Sequence, residues 1–186
     1  MKKLAVFFPG IGYTADKPLM HYSRRLAAEA GFEVLTLPYS GFPQKVKGDR
    51  DKMEESYKLA LAQSAEMLSD TDYSQYDVIL FVGKSIGTVV AAEIASRSLI
   101  PERIHFVLYT PLEQTFSFPL GDAIAFTGDA DPWVKAGIIP ELCLARDIPC
   151  YIIPGSNHSL ETGSVKEDIE NLKKIMKKTR KYICHI

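Results

Sequence analysis

The segment that most constrains the chain is the run Asp77-Val78-Ile79-Leu80-Phe81-Val82-Gly83-Lys84-Ser85-Ile86-Gly87 and the stretch Thr88-Val89-Val90-Ala91-Ala92-Glu93-Ile94-Ala95 after it. A β-rich apolar run turns sharply into a helix of small residues. A turn this tight brings the two backbones into contact, and a glycine on each side of Ser85 removes the Cβ atoms that would collide there. The spacing is that of a G-x-S-x-G elbow, which holds a serine hydroxyl at the carboxyl edge of a sheet, over the positive end of the next helix. An idle serine in a tight turn is the plainer alternative, so the rest of the chain has to decide.

Two rival motifs share these glycines. A phosphate-binding P-loop needs a glycine five residues before Gly83, where Val78 stands in a strand-like run, so no loop exists to wrap a phosphate. Gly10-Ile11-Gly12-Tyr13-Thr14-Ala15 fits a G-x-G-x-x-A dinucleotide fingerprint. That fingerprint opens a helix at once and needs an acidic residue ending the second strand. Here Asp16-Lys17-Pro18 restarts the helix late, the second strand ends Thr36-Leu37-Pro38, and Glu33 lies at its start. No His, Cys or carboxylate cluster has metal-ligand spacing, so neither a metal nor any other cofactor is expected.

The pattern along the chain predicts strands at 4–8, 33–37, 77–82, 104–109, 123–127 and 150–153. Helices are predicted at 18–30, 50–68, 86–98, 131–146 and 161–182, the fourth opened by Asp131-Pro132 and the last starting at Glu161. In the second helix Met53, Tyr57, Leu61, Ala65 and Leu68 recur at helical spacing. β-Rich runs separated by helices imply right-handed βαβ crossovers and a parallel sheet with helices on both faces. No repeat or linker divides residues 1–186, so one α/β domain is expected.

Formal net charge is −1, which gives no reason to expect nucleic acid or an anionic membrane as partner. The basic residues that end the last helix balance acidic ones at its start and read as a solvated face matched to the helix dipole. Met1-Lys2-Lys3-Leu4-Ala5-Val6-Phe7-Phe8 is too short for a signal peptide and reads as a buried first strand. Three cysteines, Cys143, Cys150 and Cys184, fit reduced thiols in a cytoplasmic protein.

A serine hydroxyl needs a general base and a group that orients the base. On a sheet of this kind both should follow later strands, in the order Ser, Asp or Glu, His. After the fifth strand comes Gly128-Asp129-Ala130-Asp131-Pro132-Trp133-Val134; after the sixth comes Pro154-Gly155-Ser156-Asn157-His158. Of four histidines, His21 falls on a helix, His105 early in a strand and His185 at the C-terminus, which leaves His158 on a polar strand-end loop. For the acid, both Asp129 and Asp131 are in place, and Asp131 also suits the N-cap of a proline-initiated helix.

At these loops the chain resembles the α/β-hydrolase fold superfamily. The resemblance rests on Gly83/Ser85/Gly87, Gly128/Asp131/Pro132/Val134 and Gly155/Asn157/His158, and it covers nearly the whole chain from residue 4. It implies a three-layer sandwich with a six-stranded parallel sheet in the order 2-1-3-4-5-6, lacking the family's first two strands and any cap domain. It implies Ser85 as nucleophile, His158 as base and Asp131 as the orienting acid. The backbone N–H of Ile86 is the expected first oxyanion donor. The family's usual His-Gly after the first strand is Pro9-Gly10 here, which makes Ile11 the expected second donor, with Gly12 next.

The activity implied is that of a serine esterase or related acyl hydrolase, acting on a small-molecule acyl substrate. A non-catalytic binding protein on the same fold, or transfer to an acceptor other than water, are the alternatives; oligomeric state is left open. With 111–121 read as a plain loop, an open, shallow site is expected. Lys84 either raises the local positive potential or, as the favoured reading, runs its stem sideways and reaches solvent. Trp133, beside the acid, either lines an apolar pocket or, as the favoured reading, sits in the core, and Tyr13 either walls the pocket or packs.

Overall fold

The computed structural model describes residues 1–186. Six strands, β1 (Lys3–Phe8), β2 (Glu33–Thr36), β3 (Val78–Lys84), β4 (Ile104–Tyr109), β5 (Ala123–Gly128) and β6 (Cys150–Ile153), form one sheet in the order β2-β1-β3-β4-β5-β6. Every neighbouring pair is parallel. The order reverses between β1 and β3, and open α/β sheets bind ligands at such a point, beyond the carboxyl ends of the strands.

Strand alternation sorts the apolar residues onto two faces. Leu4, Val6 and Phe8 point with Phe81 and Phe106 toward the layer of α2 (Arg50–Met67), α3 (Ile86–Ser96) and α4 (Ile138–Leu144). Ala5 and Phe7 point with Leu80, Val82 and Tyr109 toward α1 (Pro18–Glu29) and α5 (Val165–Ile183). Both faces are covered, so β1 and β3 read as continuous apolar runs rather than as alternating ones. Helix α3 lies between the sheet and α2, which is why it is apolar almost all round. No helix is long and apolar enough to cross a membrane.

Three expectations about elements change. Along α2 the residues fully buried are Ser56, Ala60 and Ser64, not the larger apolar stripe; Met53 and Tyr57 are half-buried and Ala65 is exposed. Small side chains permit close approach to α3, and the two hydroxyls are satisfied by the Lys52 carbonyl and by Tyr39. Helix α4 starts at Ile138, not at Asp131: the chain turns over residues 132–137 and enters the helix through Gly137, whose φ is 80°. Helix α5 starts at Val165, since Asn157 folds residues 157–161 into a closed turn by accepting from the Ser159 and Glu161 N–H groups.

Candidate active site

The carboxyl ends of β3, β5 and β6 carry the three side chains singled out above. The elbow is held by backbone contact. A Cβ on Gly83 would lie 2.7 Å from the Thr88 Cα, and one on Gly87 would overlap the Phe8 carbonyl oxygen and lie 2.6 Å from that of Pro9. Ser85 has φ 55° and ψ −124°, a conformation that costs a non-glycine residue energy. The surroundings impose it: the Ser85 N–H donates to Tyr109, extending the β3–β4 ladder, while its carbonyl accepts from the Thr88 N–H and hydroxyl.

The hydroxyl that would ordinarily cap α3 instead lies 2.7 Å from His158 Nε2. His158 Nδ1 lies 2.7 Å from Asp131 Oδ2. Asp131 therefore accepts from Nδ1–H, which leaves Nε2 as acceptor for the serine proton. The other Asp131 oxygen accepts from the Trp133 N–H at 2.9 Å. Asp129 is the alternative carboxylate from the sequence, and its Oδ1 accepts from the Gly155 N–H at 2.6 Å. With the bond from the Ala130 N–H to the Ser156 carbonyl, this ties the loop after β5 to the loop after β6.

The loop after β1 passes beside the elbow: a Cβ on Gly10 would lie 3.3 Å from the Ser85 Cβ. The N–H groups of Ile11 and Ile86 donate to nothing within the chain. The Ile86 N–H opens α3, so the positive end of the helix adds to it.

Burial pulls the His158 imidazolium below its ordinary range; the bond to Asp131 opposes this, and the charges of Lys84 and Lys47 add to it. The indole of Trp133 stacks on the imidazole, with ring centroids 5.3 Å apart and planes at 28°, and is half-buried rather than in the core.

Lys84 does not reach solvent as expected. It is 1% exposed, and its Nζ donates to Thr110 Oγ1 at 2.6 Å under the ring of Tyr13, whose centroid is 5.0 Å away. Burial pushes its ammonium down to about 7, against the attraction of Asp131 and Glu161. Tyr13 itself is packed, its hydroxyl accepting from the Leu19 N–H at 3.2 Å.

A pocket of about 430 Å³ opens beside the elbow, floored by Ile86, Val89 and Leu112 and walled by Met53, Tyr57 and Phe118, with Arg50, Glu54, Gln114 and Ser117 completing its lining. The 111–121 segment supplies one wall because it contains a 3₁₀ turn, Glu113–Ser117, tied to α3 through the hydroxyls of Thr115 and Thr88. Sequence reasoning missed this wall and that from α2. The signal was present in the half-buried spacing of Met53 and Tyr57, which a core reading absorbs equally well.

Sheet order, crossovers and the strand-edge position of the elbow together define an α/β-hydrolase fold, in a compact form without a cap domain. The chain is similar over its full length to solved structures of that superfamily. A candidate hydrolase from Xanthomonas campestris superposes with a TM-score of 0.67 at 11% identity, covering 100% of both chains. A Pyrococcus furiosus esterase gives 0.62 at 14% identity, with 98% of this chain and 83% of the other covered. An α/β serine hydrolase without a lid from Xanthomonas campestris gives 0.61 at 15% identity, with 97% and 82% covered. At such identities the likeness establishes the fold. No protein-family model and no curated protein matches the sequence.

Proposed function

We propose that this protein is a serine hydrolase that cleaves a carboxylic ester or related acyl bond through an acyl-enzyme. One observation carries the reading: hydroxyl, imidazole and carboxylate, drawn from three strand ends, form an unbroken hydrogen-bonded chain with two links of 2.7 Å.

In this reading His158 Nε2 takes the proton of Ser85 as its Oγ attacks the substrate carbonyl, and Asp131 fixes the tautomer and stabilises the imidazolium. The N–H groups of Ile86 and Ile11 receive the oxyanion, and their lack of partners in the chain suits that task. Protonated His158 passes its proton to the leaving group, and water activated by the same imidazole then hydrolyses the ester on Ser85. The pocket beside Ile86 and Val89 takes the acyl chain, which makes hexanoyl and similar esters better substrates than acetyl.

Labelling by a fluorophosphonate, with hydrolysis measured across chromogenic esters of rising acyl length, tests the reading. Wild type should be labelled and Ser85→Ala should not, with activity in that variant reduced by roughly 10⁴-fold or more. Full activity in Ser85→Ala would refute the nucleophile. Absence of both labelling and turnover would favour a binding protein.

A further inference from the structure

A lysine ammonium with almost no access to water is costly unless paired. Lys84 has one hydrogen bond, to the neutral hydroxyl of Thr110, and the face of Tyr13; no carboxylate lies within ion-pair distance. The position is fixed by the fold. Lys84 is the last residue of β3, directly before the proposed nucleophile, and is paired in register with Tyr109. Thr110 follows at the end of β4 with φ 41°, held there by its N–H bond to Phe126. The ammonium thus lies enclosed between Thr110 at the end of β4 and Tyr13 of the loop after β1, and nothing in the proton path from Ser85 to Asp131 uses it.

We propose that Lys84 is a positioning residue for the base: its enclosed charge, anchored on Thr110, draws on the Asp131 carboxylate and opposes protonation of His158. The imidazole is thereby kept in its neutral, proton-accepting form further into the acid range. The ionisable groups around Lys84 are Asp131 from the loop after β5, His158 and Glu161 from the loop after β6, and Tyr13 from the loop after β1, which stays neutral because burial pushes it up to about 12. Those acting on His158 are Asp131, Lys84 and Lys47. Lys47 is exposed and therefore screened by water, so the enclosed lysine is the stronger of the two repelling charges.

The inference rests on the serine-hydrolase reading only in calling His158 a base; the coupling between the two side chains is measurable without turnover. The imidazole of His158 is titrated by NMR in wild type and in Lys84→Met, its resonance assigned with His158→Gln. In Lys84→Met the midpoint should move up by roughly one pH unit, while His21, His105 and His185 stay in place. In an active enzyme the acid limb of kcat/KM should follow it. A stationary midpoint in folded Lys84→Met would overturn the proposal, whatever fluorophosphonate labelling says about Ser85. If Lys84→Met does not fold, Thr110→Val removes the acceptor and favours the neutral amine. His158 should then move the same way by less, and no movement would overturn the proposal equally.

Discussion

The indole of Trp133 covers one face of the His158 imidazole, two residues along the chain from the carboxylate that grips its edge. One loop thus sets both the direction and the tilt of the ring. Stacked pairs contribute about 0.5–1.5 kcal/mol beyond burial. In Trp133→Ala the ring should lose a wall and gain water. We expect kcat to fall by roughly tenfold and the acid limb of kcat/KM to move to higher pH, because burial is the main cause lowering His158. Trp133→Phe should retain most of the rate; steady-state kinetics across pH would separate the two.

Asp131 and Asp129 make an internal control. Asp131→Asn puts an amide that can donate where the Nδ1–H must donate, favours the wrong tautomer, and should reduce kcat by roughly 10⁴-fold with the fold intact. Asp129→Asn keeps an oxygen for the Gly155 N–H and should stay within a few-fold of wild type. Equal losses in the two variants would show that the carboxylates act through loop structure instead.

Val89 and Leu112 floor the pocket beside the elbow. Each buried methylene of an acyl chain contributes up to about 0.8 kcal/mol, so the four that separate hexanoyl from acetyl allow a preference of roughly 10²-fold. Val89→Phe should fill that space and cut the preference by about tenfold or more, leaving acetyl turnover within about threefold. Ratios of kcat/KM over an ester series would measure this.

Lys84 also gives stability a sign that can be checked. Its ordinary value is 10.5 and in the fold it is about 7, so between these limits the unfolded chain binds the extra proton. Its contribution therefore makes stability rise with pH across that window. Above about 10 the buried tyrosines act oppositely: Tyr13 and Tyr73 are both raised to about 12, so the folded state holds the extra proton and stability falls. Urea midpoints should climb from pH 7 to about 9.5 and then drop. Lys84→Met should be the more stable protein at pH 7 and should flatten the climb.

Gly87 tests the elbow as a packing device. A methyl group there would overlap the Phe8 carbonyl and crowd that of Pro9, and these are backbone atoms at the end of β1 that cannot swing aside. Gly87→Ala should cost about 3 kcal/mol or more and lower the urea midpoint accordingly.

Much of this was legible from local pattern. Periodicity gives all six strands, because a strand buried on both faces must be a short apolar run whatever it packs on. The glycines around Ser85, and the loops carrying Asp131 and His158, are legible because close backbone approach and polar strand-end loops leave marks in the residues themselves. The helix start at Asp131 fails for an instructive reason. A carboxylate before a proline is a good N-cap, and Asp131 does accept from the Trp133 N–H; but its other oxygen is held by His158, 27 residues away, and the chain turns until Gly137 before a helix begins.

What the sequence determined by itself is the α/β alternation, the parallel sheet and which strand ends carry a hydroxyl, a carboxylate and an imidazole, since these follow from neighbours in the chain. What only the tertiary structure decided is which partners those groups take. It put Asp131 rather than Asp129 on the imidazole, laid Trp133 on its face, enclosed Lys84 against Thr110, and built a pocket from Met53, Tyr57 and Phe118. Each of those contacts joins residues far apart in sequence. Their energies depend on distance and on exclusion of water, and folding alone sets both.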